Sequence, residues 1–245
     1  MSFLAVQLDL TDLFIISYII PPFQIHPHIP KTLSLATIND TAFVSVVMFR
    51  SNGLRIPPLP PLSFPFRQIN VRTYVKVPGL DEIGIYLFRA GITPVPMSLI
   101  NPFLKMAFEE IKLDAKIEQD RQAQSKIYKV SGRWDGILNM EAREVRCISG
   151  NVLPFSNMEE IFNFLINVQT GFYGPEEDIR QLKVAHHESQ AQIYQVDEVI
   201  FPFLSSLGFM TKEDTMRPFI TFYIPETKMM VFLPSKKWLN NKVQT

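Results

Sequence analysis

The chain has very little that could cross-link it, hinge it or charge one of its faces. Cys147 is the sole cysteine, which excludes an internal disulfide and a cysteine-built metal cluster and fits a reducing, cytoplasmic setting. Glycine is scarce, at 10 residues, and no Ser/Gly tract or charge block occurs, so no flexible linker divides the chain and one domain over 1–245 is expected. Lys+Arg and Asp+Glu balance at 24 each, which leaves no basic face for sequence-independent phosphate binding and argues against a nucleic-acid partner. The most apolar early run, Leu13 to Ile20, falls well short of the ~20 residues a membrane helix needs. It also has no basic flank and stops at Pro21-Pro22, so neither a targeting segment nor a membrane partner is expected. Also missing are G-x-S-x-G, a P-loop and G-x-G-x-x-G, which argues against serine hydrolases, NTPases and dinucleotide enzymes; no motif asks for a cofactor. No repeat of solenoid period is present.

What the chain does have is hydrophobic residues, 47% of the total, arranged in short β-branched or aromatic runs bounded by Pro, Gly, Asn or Asp. "LFIISYII" (13–20), "AFVSVVMF" (42–49), "INVRTYVKV" (69–77), "IGIYLFRA" (83–90) and "FITFYI" (219–224) read as strands, with weaker alternation at 112–118 and 191–199. Residues 136–145 fit either a strand or a short helix. Two helices are expected. One begins at Ser156 with Glu159 as a capping box, carries Ile161, Phe162, Leu165 and Val168 on one face, and stops at Gly171. The other runs from Asn101 through Pro102 to about Ile111, with Phe103, Leu104, Ala107, Phe108 and Ile111 at helical spacing. Strands this numerous with so few helices predict a β-rich α+β fold: a large, mostly antiparallel sheet with a few flanking helices.

Pro57, Pro58, Pro60, Pro61 and Pro65 offer P-x-x-P spacing that a partner domain could dock, but Leu54, Leu59, Leu62, Phe64 and Phe66 interleave them. Those apolar side chains favour a stiff inter-strand loop covering the core. Arg72 is the most informative single residue, because an arginine within an apolar strand is rarely buried without an anion to pair with; an outward-facing arginine in strand alternation is the alternative. His26, His28, His186 and His187 are the only histidines. Neither pair has a carboxylate at metal-ligand spacing, so surface or loop roles are expected and no metal site is assigned.

The stretch from Ala42 to Gly79 resembles the YqjF-like family of uncharacterised bacterial proteins. The likeness rests on a hydrophobic strand ending in Phe49-Arg50, the proline-rich segment Pro57 to Pro65, and Asn70-Val71-Arg72-Thr73-Tyr74-Val75. It continues weakly through "YIIPPFQIHPHIPKTL", the 156–170 helix, "KVAHHE" and "FITFYIPETKMMVFLP", and so covers nearly the whole chain. The chain departs from the pattern at Glu109-Glu110-Ile111-Lys112-Leu113, where the family often has a Gly-Leu-Pro-Tyr-Tyr-like turn. It also lacks the Pro-Trp that often follows the second histidine region. The resemblance implies the acetoacetate decarboxylase-like superfamily: a cone-like β-barrel with helices outside and a central small-molecule cavity. Decarboxylases of that superfamily form a Schiff base from a lysine in a G-x-P-K-K stretch. Lys112 falls at the nucleophile's place, but Leu113 replaces the second lysine and the Gly-Pro frame is gone. In strand alternation Lys112 shares a face with Asp114 and Lys116, a solvated pattern.

The expected function is therefore binding of a small anionic or carbonyl compound in a barrel cavity, with Arg72, Asn70 and Tyr74 as ligand-binding residues. The alternatives are a Schiff-base lyase using Lys112 and an interaction protein displaying residues 57–65. Homo-oligomerisation is left open.

Overall fold

The computed structural model describes residues 4–55, 65–95, 105–120, 125–145, 152–187 and 190–238. The proline-rich stretch 56–64, residues 96–104 and Cys147 lie outside them.

The strands are β1 (Leu4–Ile20), β2 (Ser34–Leu35), β3 (Ala42–Arg55), β4 (Phe66–Lys76), β5 (Ile83–Ile92), β6 (Phe108–Glu110), β7 (Lys112–Asp120), β8 (Ser125–Arg133), β9 (Ile137–Val145), β10 (Thr170–Tyr173), β11 (Arg180–His186), β12 (Gln192–Ile200) and β13 (Ile220–Lys237). The helices are short: α1 (Pro22–Ile25), α2 (Met158–Leu165), α3 (Pro202–Ser205) and α4 (Lys212–Thr215). No helix among the described residues is long and apolar enough to cross a membrane.

Strands β1-β3-β4-β5-β10-β11-β13 follow one another around a closed barrel, completed by antiparallel pairing of β1 with β13 from Leu4↔Leu233 to Ser17↔Ile220. Closure removes the free edges that an open sheet of this size would present. β13 is the branch point where the outer strands leave the barrel. Its first part pairs with β12 at Tyr223, Phe222 and Thr221, and its second part pairs with β11 from Met229 to Lys237. Beyond β12 the sheet continues through β9 and β8 to β7, which is an edge.

The outer strands fold back over the barrel. Phe14, Ile16 and Tyr18 of β1 and Val44, Val46 and Met48 of β3 share one buried cluster with Tyr128 and Val130 of β8, Leu138 and Met140 of β9, and Tyr194 of β12. Phe14 sits at its aromatic centre, 4.3 Å from the Tyr128 ring and 4.7 Å from that of Tyr223. Alternate residues, among them Leu13, Ile15, Phe43, Val47 and Phe49, enter a second cluster inside the barrel. Because both faces of β1 and β3 are covered, their sequences read as unbroken apolar runs instead of alternating ones.

An ion-pair hub fastens barrel to outer sheet. Arg89 of β5 makes a forked pair with Glu109 of β6, bonds Asp135 in the β8–β9 turn, and reaches the Ser206 hydroxyl at 2.8 Å, while lying 4.7 Å over the Trp134 ring. Trp134 Nε1 in turn donates to Glu109 at 2.9 Å. The hydrogen bonds from Arg89 hold the Glu109 and Asp135 carboxyls below the usual carboxylate range.

Three local expectations are corrected. Residues 108–110 are not helical: they form β6, parallel to β5, and Lys105 has φ 52°, which ends any right-handed helix before it. The remainder of that expected helix, 101–104, lies outside the described residues. The second helix is shorter and capped one residue later than expected. Asn157 accepts from the Glu160 backbone N–H at 2.9 Å, and the Glu160 carboxylate takes the Ser156 N–H at 2.7 Å. Gly171 does not stop that helix but lies in β10. Of the two readings open for residues 136–145, the strand is the one found, as β9 (Ile137–Val145).

Candidate functional site

Helix α2 enters one part of the barrel interior with Ile161, Phe164 and Leu165 buried, an i, i+3, i+4 face, and packs Phe164 on Phe43, Tyr74 and Phe155. Its last carbonyls lack intrahelical partners. The Leu165 carbonyl is satisfied twice from β4, by the Tyr74 hydroxyl at 2.9 Å and by Arg72 Nη2 at 2.7 Å. A cation there also complements the negative end of the helix dipole. Since the Tyr74 proton goes to Leu165, its oxygen accepts from Ser45 at 2.7 Å, and Ser45 in turn accepts from Ser17 at 2.7 Å. This buried polar chain pins the helix end to three barrel strands.

The rest of the interior is a cavity of about 510 Å³. Its walls are largely aliphatic, from Leu8, Leu10, Leu13 and Ile15 on β1 to Met229 and Val231 on β13. Polar groups come from β4 (Gln68, Asn70, Arg72), from α2 and its exit (Asn163, Asn167), and from Thr227, His186 and His187. Among the described lining residues there is no Asp, Glu or Lys, and Arg72 is the single arginine.

Arg72 is half-buried and has no ion pair among the described residues. Of the five N–H donors of its guanidinium, one bonds Leu165; its Nε is buried without a partner there. Gln68 Nε2 donates to Asn70 Oδ1 at 2.7 Å, which leaves the Asn70 amide hydrogens available to the cavity. His186, the last residue of β11, lines the cavity with part of its surface exposed. Burial, followed by the Arg72 charge, pushes its pKa below the ordinary 6.5, against a hydrogen bond with the Val168 backbone. The shift favours its uncharged form.

Of the residues singled out from sequence, Arg72 and Asn70 face the cavity. Tyr74 is fully buried beside it, with its hydroxyl engaged in holding α2. Lys112 is not brought together with them: it is exposed at the start of β7 in the outer sheet and is not a cavity-lining residue. His26 and His28 lie in a 3-10 turn, His28 against Phe209, and no group of His, Cys, Asp or Glu among the described residues could hold a metal ion. Sequence reasoning missed His186, His187, Gln68, Asn163, Asn167 and Thr227. The signal available was the polar series Gln68, Asn70, Arg72 at strand period in an apolar strand, and the i, i+4 pair Asn163 and Asn167.

A closed barrel with an internal cavity and a backing outer sheet is the acetoacetate decarboxylase-like fold. Acetoacetate decarboxylase from Legionella pneumophila aligns with TM-score 0.59 at 12% identity over 96% of this chain and 87% of its own. The enduracididine biosynthesis enzyme MppR with bound HEPES buffer gives 0.60 at 11% over 97% and 89%, and the same enzyme complexed with pyruvate gives 0.56 at 10% over 95% and 90%. The chain itself belongs to the DUF2071 family, described as an uncharacterized conserved protein, which matches residues 7–228. No curated protein matches the sequence.

Proposed function

We propose that the protein binds a small organic anion, a carboxylate or a carbonyl-bearing acid, inside the barrel, with Arg72 as its anchor. The observation that carries this reading is the Arg72 guanidinium, which lines a largely apolar cavity with no acidic side chain among the described lining residues. Such a charge favours an anionic occupant, and a charge-assisted pair formed away from bulk water is strong. Asn70, Asn163 and Asn167 add neutral hydrogen-bonding groups that orient a carbonyl. The binding of pyruvate by one structural neighbour is consistent with this chemistry. Imine chemistry draws no support from Lys112, whose ammonium stands in solvent on the outer sheet.

The test is calorimetry and thermal shift with a panel of carboxylic acids and their neutral amides, on wild type and Arg72→Met. Loss of one charge-assisted hydrogen-bonded contact, about 1.5–3 kcal/mol, should weaken acid binding by about 10- to 150-fold. Amide binding should be nearly unchanged. Equal affinities of the two proteins for every acid overturn the reading.

A further inference from the structure

We infer that the occupant is an amphipathic monocarboxylate, an acid head at Arg72 with an aliphatic or aryl-aliphatic tail, and not a short keto acid. The inference rests on the reading that Arg72 holds an anion, and adds to it the shape and the charge of the rest of the ligand.

Size is the first argument. At roughly 30 Å³ per water-sized group, about 510 Å³ accommodates on the order of seventeen heavy atoms. A keto acid of about six would leave most of the wall facing water. Ligand pockets of this volume ordinarily enclose drug-sized molecules, with most of the ligand surface buried.

The layout of the wall is the second. His186, whose ring senses the Arg72 charge, is the β11 partner of Met229, and Met229 is the β13 partner of Leu8. Two residues further along these strands Val184 is paired with Val231. Leu182 follows on β11, and all of these side chains line the cavity. From His186 to Leu182 the strand advances about 13 Å. An unbroken aliphatic patch across three paired strands therefore leads away from the polar head group, and its burial against a hydrocarbon tail is the main source of binding energy.

Charge is the third. Arg72 is the single arginine and no lysine lies among the described lining residues, so none of them supplies a second fixed positive charge for the far end of the ligand. A dicarboxylate would leave one charge desolvated and unpaired, at a large cost.

The experiment is isothermal calorimetry of wild-type protein with pyruvate, butyrate, hexanoate, octanoate and decanoate, below the concentrations at which they aggregate. The matching n-alkanols and suberate, the dicarboxylate of octanoate length, are run beside them. Affinity should rise about fourfold per methylene through the series, each acid should bind more tightly than its alkanol, and suberate should bind more weakly than octanoate. A Leu182→Asn variant, changed at the tail end of the patch, should flatten the chain-length slope without altering the preference for acid over alkanol. If pyruvate binds as tightly as decanoate, or suberate as tightly as octanoate, the inference is overturned while the Arg72 reading stands. If alkanols match the acids at every length, the Arg72 reading falls and with it the acid head. Absence of binding throughout overturns both.

Discussion

The outward and inward faces of β1 and β3 are built from alternating residues of the same strands, yet one is a buried core against the outer sheet and the other borders a cavity. Outward, Phe14, Ile16, Val44 and Val46 are fully buried in one cluster with residues of the outer sheet. Inward, Leu13, Ile15, Val47 and Phe49 meet only part of α2, and the space it leaves is where Asn70 and Arg72 of the neighbouring strand are found. Polar side chains occur on the face where packing is incomplete. A barrel that devotes one face of its strands to stability is free to leave the other under-filled, which is the condition for holding a ligand.

The sharpest way to break this comparison is to remove the same atoms from each face. Ile16 and Ile15 are sequence neighbours, at 0% and 3% exposure, facing opposite ways. Ile16→Ala should cost about 4 kcal/mol, because it opens a new void in a close-packed cluster, whereas Ile15→Ala, which only widens an existing space, should cost about 2 kcal/mol. Urea unfolding measures both, and only Ile15→Ala should change ligand affinity. Equal costs would mean that the two faces are packed alike.

A tyrosine pair sharpens the same contrast with polar atoms. On the outward face Tyr18 is fully buried and its hydroxyl has no partner among the described residues; on the inward face Tyr74 holds Leu165 and Ser45. Tyr74→Phe should destabilise by about 1–2 kcal/mol, and Tyr18→Phe should stabilise by up to about 1 kcal/mol. Opposite signs in the thermal midpoints are the expected result, and a loss in both would refute the assignment of Tyr18 as unsatisfied.

Smaller still is the acid response of the cavity. The His186 pKa is lower folded than unfolded, so its contribution is fully present above about 6.5 and is lost as pH falls through the folded value. In that window the unfolded chain takes up the proton that the native state refuses. Stability measured from about pH 7 to about pH 5 should therefore decline more steeply for wild type than for His186→Asn. The smallest effect belongs to the outermost residue: Lys112→Ala should change stability by less than about 0.5 kcal/mol. It should leave ligand binding intact, and borohydride treatment with pyruvate should add no mass at Lys112.

The strands were legible because burial on both faces makes continuous apolar runs, as in Ala42 to Phe49, that no exposed loop would carry. What misled was local periodicity without tertiary context. Phe103, Leu104, Ala107, Phe108 and Ile111 have helical spacing, but the open edge of β5 recruits Phe108–Glu110 as a parallel strand, and strand pairing outweighs a short helical pattern. Ser156 to Glu159 and Asn157 to Glu160 have the same spacing, so the local pattern could not choose between them, and it is Asn157 that takes the Glu160 N–H. At the site, Arg72 could be singled out because a charge stands out in an apolar strand. His186 could not, since its place on the cavity wall arises from the pairing of β11 with β13 and β10 in the closed barrel, which no local pattern encodes. Lys112 matched a sequence position while the chain turned it outward.

The pairing of β1 with β13 has a consequence in time. One edge of β1 can be satisfied early by β3, while the other must wait for Ile220 to Leu233, so the barrel cannot close until nearly all the intervening chain has been made. During synthesis β1 presents a long apolar strand with an unpaired edge, the kind of surface that associates with neighbouring chains. A fold closed by its most sequence-distant pair should also fold slowly, in the range of high-contact-order β proteins.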